Sequence, residues 1–444
     1  MRFRIPVSLT ALAACTSLVV TACAGAPAPA PAATQAAAAA PTAVAAAPTA
    51  VAAAPTVAAQ AAPTVAAAAT SVARAAPTVA AQVAPTVAAV ATSVAAAAPT
   101  RAPAATAAPA AAPTPAATTA AAAPSGKKLK VGLVTDVGKI DDKSFNQSAW
   151  EGVQQAGKQL GADVKFIETT DPKDYGKNIE QFAQDNYDVI VTVGFALGQA
   201  TVDEAKKYPD IKFIGVDQFQ QDTVPNVAGL VFNEDRAGYL AGALAAQMTK
   251  TGTIGQVLGT PIVPPVEAFG VGYINGAKAL KSDIHVLSAC HPGGLAKGFS
   301  DPDWGKATAV QMMDQKADII FAAGGQTGNG GLLAIAERKD SGVLGIGVDT
   351  DQYYTLQQAD PILLSSAMKL ITPGVFDLIK AAQDGSFKGG NTYGKVGLAP
   401  YHDLDSKVPD AVKQKMQQLS ADVTSGKVNT GWSGKPTGQC PASV

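Results

Sequence analysis

Three aspartates stand within seven residues in the stretch DVGKIDDKSFNQSAWEG, at Asp136, Asp141 and Asp142, with Phe145 and Asn146 following at once. Clustered carboxylates serve either acid/base chemistry or the hydrogen bonding of a ligand that leaves unchanged. The first use needs a further group, such as a nucleophile, a metal or a second carboxylate of displaced pKa. The chain has only His285, His291 and His402, too far apart in sequence to suggest a metal pair, and His291 in HPGG reads as a turn residue. No G-x-S-x-G, H-E-x-x-H or Walker sequence occurs. Neither catalysis, a metal nor a cofactor is therefore expected, and the second use is the better reading.

Other groups suit it. Asp349 and Asp351 in GVDTDQ follow an apolar run, and three readings stay open for them: a helix cap beside a solvated carboxylate, a D-x-D metal motif, or the grip of a carboxylate on a vicinal diol. In the last reading a lysine such as Lys369 offsets the burial of the carboxylate. Asp217 in GVDQ stands at the equivalent strand end earlier in the chain. AGGQTGNGG lacks the Gly-Lys-Ser/Thr ending of a phosphate loop, but a strand running into Gly324 and Gly325 before a helix presents backbone donors to a neutral ligand. In the opening stretch Ser144 and Gln147 fit a capping box that starts a helix at Phe145. Phe145 then either heads the core stripe Phe145, Ala149, Val153, Ala156, Leu160 or offers its ring to a planar ligand.

The elements that would position these residues alternate. β-branched runs at 130–134, 163–167, 188–193 and 211–216 are separated by helical patterns at 145–160, 174–184 and 197–207. After Asn233 the pattern repeats: DRAGYLAGALAAQM, TIGQVL, a helix over 268–280, IHVLS, a helix over 306–315, ADIIFAA, a helix over 332–339 and VLGIGV. Such alternation predicts βαβ units and two parallel sheets with helices on both faces. The run 362–368 and the helix after Pro373 come too late for a simple second half, so the chain is expected to cross between lobes more than once. In open α/β sheets ligands sit beyond the carboxyl ends of the strands, where all the residues above lie.

The first third is of another kind. Residues 1–22 carry Arg2 and Arg4 before a short apolar run, and Val20-Thr21-Ala22-Cys23 resembles a bacterial lipobox in which Cys23 becomes the lipidated N-terminus. From 23 to 126 the chain is nearly all Ala, Pro, Thr and Val, with APT recurring at a spacing of seven or eight residues and longer gaps where ATSV intervenes. Proline at that spacing forbids a coiled coil, so this is a disordered tether, spanning between roughly 55 Å as a flexible chain and about 320 Å as polyproline II. The remainder, 127–444, keeps 30 of the 34 basic residues against all 35 acidic ones, a net charge of about −5 that excludes nucleic acid as a partner. Cys290 and Cys440 stay in this part, as a disulfide or as two thiols.

TDVGKIDDKSFNQSAWEG, GVDQ, FGVGYINGAK, FSDPDWGKATA, AAGGQTGNGG and IGVDTDQ, in this order, resemble the basic membrane protein family of lipoproteins, the PnrA-like purine nucleoside receptors. The resemblance runs from Lys127 to about Tyr401, and the tether is longer than the family usually carries. It implies a type I periplasmic-binding-protein fold: two Rossmann-like α/β lobes joined by hinge crossovers, lobe 1 about 127–233 and 369–392, lobe 2 about 234–368 and 393–444. It also implies a monomer, held to the membrane by its lipid, that delivers a purine nucleoside to an ABC transporter permease. Carried over residue by residue, Phe145 and Phe299 face the two sides of the base, and Asp136 and Asn146 meet its edge. Asp349 or Asp351, with Lys369, takes the ribose, and Gly324 gives backbone contact. A binder of the same fold for a sugar or signalling molecule, and an exported nucleoside hydrolase, are the alternatives.

Overall fold

The computed structural model describes residues 128–444; Cys23 and the tether lie outside the described residues. The first lobe opens with β1 (Lys130–Thr135), α1 (Phe145–Leu160), β2 (Asp163–Ile167), α2 (Tyr175–Gln184), β3 (Val189–Val193), α3 (Gly198–Lys207), β4 (Lys212–Val216) and β5 (Val227–Val231). The second holds α4 (Glu234–Met248), β6 (Thr253–Leu258), α5 (Pro264–Leu280), β7 (His285–Cys290), α6 (Gly294–Lys297), α7 (Pro302–Asp314), β8 (Ile319–Ala323), α8 (Gly325–Glu337), β9 (Leu344–Asp349), α9 (Gln352–Thr355) and β10 (Leu363–Lys369). The chain then returns to the first lobe with α10 (Ile371–Asp384) and β11 (Gly390–Tyr393), and ends on the second with β12 (Val396–Leu398) and α11 (Asp410–Thr424).

Each lobe is one six-stranded sheet. The first runs β11-β5-β4-β3-β1-β2, wholly parallel, and the second β12-β10-β9-β8-β6-β7, parallel except for β12. Parallel strands buried on both faces need continuous apolar runs, and β3 and β8, VIVTV and IIFAA, are buried at every position. Each fully buried Val, Leu or Ile there contributes about 1.5–3 kcal/mol against exposure. α1 and α10 cover one face of the first sheet, while Ile179 and Phe182 of α2 fill the other. In the second lobe α4, α5 and α11 pack on one face and α7 and α8 on the other. The strand order reverses between β1 and β3 in one lobe and between β6 and β8 in the other, which makes a switch point, and so a ligand crevice, in each.

Three segments cross between the lobes: 232–233 after β5, Leu370 after β10, and 394–395 between β11 and β12. β5, β11, β12 and α11, with the four-residue helices α6 and α9, go beyond the elements read from the sequence. A further difference is α8. The glycine-rich stretch expected to be a loop before a helix at Leu332 is itself helical from Gly325. The cause is packing: a Cβ on Gly330 would lie 2.0 Å from the carbonyl oxygen of Pro302, so these glycines let α8 and α7 meet backbone to backbone. Tertiary contact overrides the poor helix propensity of glycine. Cys290 and Cys440 form a disulfide, and Val444 exchanges backbone hydrogen bonds with Val286, so the C-terminal segment seals the edge of β7. No helix among the described residues is long and apolar enough to cross a membrane.

Candidate functional site

A cleft lies between the carboxyl ends of the two sheets, where ligands of open α/β folds sit. Asp136, Asp142, Phe145, Asn146 and Asp217 line it from the first lobe; Phe269, Phe299, Gly324, Asp349 and Lys369 line it from the second. Both switch points open onto it. Asp136 follows β1 and donates its backbone N–H to Val193 at the end of β3. Gly194, which follows β3, has φ 115°, and a Cβ there would lie 2.2 Å from Oδ2 of Asp136, so only glycine leaves that carboxylate room. In the second lobe Gly259, after β6, does the same for the Phe299 ring, which a Cβ would approach to 2.4 Å.

Lys369, at the end of β10, is the electrostatic centre. Its Nζ lies 2.6 Å from Asp217 Oδ2, 3.5 Å from Asp349 Oδ1 and 3.8 Å from Glu234 Oε1. The Phe145, Phe232 and Phe269 rings surround it at 4.6, 5.5 and 5.8 Å. Burial works against the charge of a lysine, but the three carboxylates outweigh it and hold the ammonium pKa above its ordinary value. Asp217 follows β4 and Asp349 ends β9, and both adopt the left-handed backbone region, at φ 59° and 66°. Two non-glycine residues kept in that region at matching strand ends, each costing of order 1 kcal/mol, mark positions the surrounding structure over-determines. Glu234, first residue of α4 beside the first crossover, is buried. Desolvation, opposed by Lys369 and reinforced by Asp217, raises its pKa to about 8.

The start of α1 corrects the sequence reading. Ser144 stands at the N-cap but its side chain caps nothing, and the Gln147 amide turns to Glu151 at 3.0 Å. The cap is Asp142, one of the three clustered aspartates, to which the sequence assigns no individual role. Its carboxylate accepts the backbone N–H groups of Ser144, Asn146 and Gln147 at 2.9–3.1 Å and the Asn146 amide at 3.2 Å. A carboxylate satisfies three orphan helix donors where a hydroxyl satisfies one, which frees Ser144 Oγ to donate across the cleft to Asp349 Oδ2 at 2.7 Å. Burial, only partly countered by those hydrogen bonds, raises the Asp142 pKa to about 6. Burial, then the charges of Asp142 and Asp217, raises that of Asp136 to about 7.

The same segment is gripped by the opposite lobe. Asn329 of α8 donates to the Asp142 carbonyl at 2.7 Å. Thr355 and Gln352 of α9 donate to the Lys143 carbonyl at 2.7 and 3.2 Å, and Lys143 has φ 61°. With Ser144 and Asp349, these bonds form a clasp between the lobes beside the cleft.

Of the two late aspartates, the structure brings Asp349 to the cleft and sets Asp351 apart, where it caps α9 through the Tyr353 N–H and pairs with His402 Nε2 at 2.7 Å. Phe299 and Gly324 line the same wall. The Phe299 carbonyl accepts from Gln326 in the first turn of α8, and His291 braces that loop from beneath, Nε2 lying 3.2 Å from Asp301 Oδ2. Sequence reasoning missed Asp142, Glu234 and Phe269. The last stood inside FGVGYINGAK, a motif noticed without a role. Among the described residues no grouping of His, Cys, Asp and Glu fits a metal ion.

A family model described as Bmp, ABC transporter substrate-binding protein PnrA-like, matches residues 129–400. The ABC transporter nucleoside-binding protein BmpA of Lactococcus lactis subsp. cremoris is 32% identical over 317 residues, covering 68% of this chain and 88% of that protein. An uncharacterised lipoprotein of Pyrococcus horikoshii is 34% identical over 291 residues, 63% of this chain and 70% of that one. Among solved structures, a solute-binding protein of an ABC transporter system from Aeropyrum pernix superposes with a TM-score of 0.60 at 24% identity, covering 68% of this chain and 92% of that one. That likeness carries the type I solute-binding fold.

Proposed function

Since the chain belongs to the family of PnrA-like ABC transporter substrate-binding proteins, we propose that it captures a purine nucleoside between its lobes and hands it unchanged to an ABC importer. The observation that carries this reading is the pair of phenyl rings, Phe145 from the first lobe and Phe299 from the second, on the walls of one cleft edged by carboxylates and a single lysine. Two aromatic faces suit a planar base, and closure between them buries it without making a bond. Asp349 and Lys369 suit the ribose diol: a carboxylate accepts both hydroxyl protons and the ammonium donates to their oxygens. Asp136 and Asn146 are left for the edge of the base, and Gly324, at the start of α8, for a backbone contact. Asp217 holds Lys369 in place.

In this reading Cys23 carries the lipid anchor, the tether sets the lobes off from the membrane on its extracytoplasmic face, and the receptor works as a monomer. Two lines of support are the lipobox-like sequence before Cys23 and the lipoprotein name of the Pyrococcus relative. Incubating the purified protein with inosine, guanosine, adenosine and ribose tests the proposal. Saturable binding of a nucleoside with no free base released is expected. Release of free base would replace the receptor by a hydrolase, and ribose binding as tightly as inosine would replace it by a sugar binder.

A further inference from the structure

The three crossings between the lobes are knit into one hinge. A Cβ on Gly394 in the third would lie 2.2 Å from the Phe232 ring in the first, and Leu370 in the second donates its N–H to the Lys395 carbonyl at 2.9 Å. Glu234 follows the first crossing and Lys369 precedes the second, and their charges meet at 3.8 Å. Lys369 ends β10 in the second lobe, whereas Asp217 follows β4 in the first, so the 2.6 Å bond between them spans the lobes and holds them together. Glu234 opens α4, in the lysine's own lobe. It is 6% exposed and is not among the residues that line the cleft, so its carboxylate serves the lysine rather than a ligand.

Resting on capture between the lobes, we propose that Glu234 is a positioning residue of the hinge: it competes with Asp217 for Lys369, and a proton on Glu234 favours the closed arrangement. When the first lobe swings away it takes Asp217 with it, and the ammonium is left to the carboxylates of its own lobe, Asp349 and Glu234. An ionised Glu234 then draws the lysine toward α4 and holds it there. Closing brings Asp217 up to two other carboxylates around a single ammonium, and protonation of Glu234 removes one of those like charges.

The groups around Glu234 set the direction of the pH dependence. Lys369 faces it from β10, Asp217 from the end of β4 and Asp235 from the next position on α4, with Asp349 of β9 beside the same ammonium. Arg236 donates to the Thr424 carbonyl at 3.3 Å, and Lys395 in the third crossing is exposed. In the closed arrangement desolvation, opposed by Lys369 and reinforced by Asp217, raises the Glu234 pKa to about 8. Opening admits water and gives Glu234 a larger share of the lysine, and both effects lower that pKa. The closed arrangement therefore binds the proton more tightly: its advantage is full at acid pH and is lost as the pH rises through about 8.

Pulsed electron resonance on the full-length, ligand-free protein at pH 6 and pH 9 tests this, with spin labels carried by non-canonical amino acids at exposed Lys206 on α3 and exposed Lys339 after α8. The label separation that matches this structure measures the closed population. One pKa unit between the two arrangements is a factor of ~10, so the closed-to-open ratio is expected to be at least ~10-fold higher at pH 6 than at pH 9. In Glu234→Gln that change is expected to shrink by the same factor, leaving what Asp136 and Asp142 contribute. A carboxylate that merely supported the fold would shift the ratio alike at both pH values. A variant that opens with pH as the unaltered protein does would overturn the inference. Should Glu234→Gln not fold, Asp217→Asn decides: with the competitor weakened, the closed-to-open ratio at pH 9 is expected to fall by at least ~10-fold, and an unchanged ratio would contradict the competition. Because the labels are read without ligand, failure of nucleosides to bind would end the substrate reading alone.

Discussion

Asp136 and Lys369 make the chemistry of this cleft unusual at the scale of single residues, because burial pulls them in opposite directions. The lysine keeps its proton under the pressure of three carboxylates; the aspartate takes one up near neutrality. Linkage gives the sign of the consequence. A carboxyl whose folded pKa is raised from 3.8 to about 7 binds protons more tightly in the native state, so its contribution to stability is full below about pH 4 and is lost as the pH rises through about 7. Asp136→Asn, which cannot ionise, is expected to raise the urea midpoint at pH 8 and to leave it unchanged at pH 4; equal midpoints at pH 8 would deny the raised pKa. Lys369→Met is the harsher change. It leaves Asp217, Asp349 and Glu234 buried without their cation and is expected to cost ~3–5 kcal/mol in denaturant unfolding at pH 8. The convergence of the residues singled out in the sequence was legible at this scale, since Asp136, Phe145, Asn146, Asp217, Phe299, Gly324, Asp349 and Lys369 all line one cleft. Asp142 was not. A loop aspartate and one that caps a helix from two residues before its N-cap look alike in sequence, and only the fold shows which backbone donors a carboxylate reaches.

At the scale of elements, the start of α1 joins structure to recognition, and the division of labour between Asp142 and Ser144 there can be measured. Asp142→Ala removes the acceptor of three helix N–H groups and is expected to destabilise the protein by ~1–2 kcal/mol. Ser144→Ala removes no cap; it breaks the bond to Asp349 across the cleft and is expected to change stability less than Asp142→Ala does. The reverse order in thermal unfolding would restore the Ser144 capping box. The strands of both sheets were legible because parallel strands buried on both faces must be apolar throughout, and α1 was legible from its stripe of Ala149, Val153 and Ala156. α8 was hidden by its own glycines. Their low propensity signals a loop, and nothing local reveals the backbone of Pro302 against which Gly330 packs. β11 and β12 are four and three residues long, too short to carry a period.

On the scale of the whole molecule, three crossings join two sheets whose switch points face each other, so the cleft exists only where both lobes meet. Repeated crossing was legible from the order of elements, because the run that became β10 and the helix after it came too late for a second half. Where the last crossings fall was not, since it depends on which edges β11 and β12 join. The clasp made by Asn329, Gln352 and Thr355 on the carbonyls of Asp142 and Lys143 holds the lobes together beside the cleft. Thr355→Val deletes one of its short bonds, and a larger radius of gyration in solution scattering of the ligand-free protein is the expected effect; an unchanged radius would show that this bond does not bias closure.

One phenyl ring comes from each lobe, so stacking on both faces of a base needs the closed arrangement as well as both rings. The affinity for inosine of the unaltered protein, Phe145→Ala and Phe299→Ala, measured by calorimetry, therefore tests capture between lobes most directly. The expected result is a loss on the order of 1–3 kcal/mol in each variant. Unchanged affinity in both would contradict a base held between these two residues.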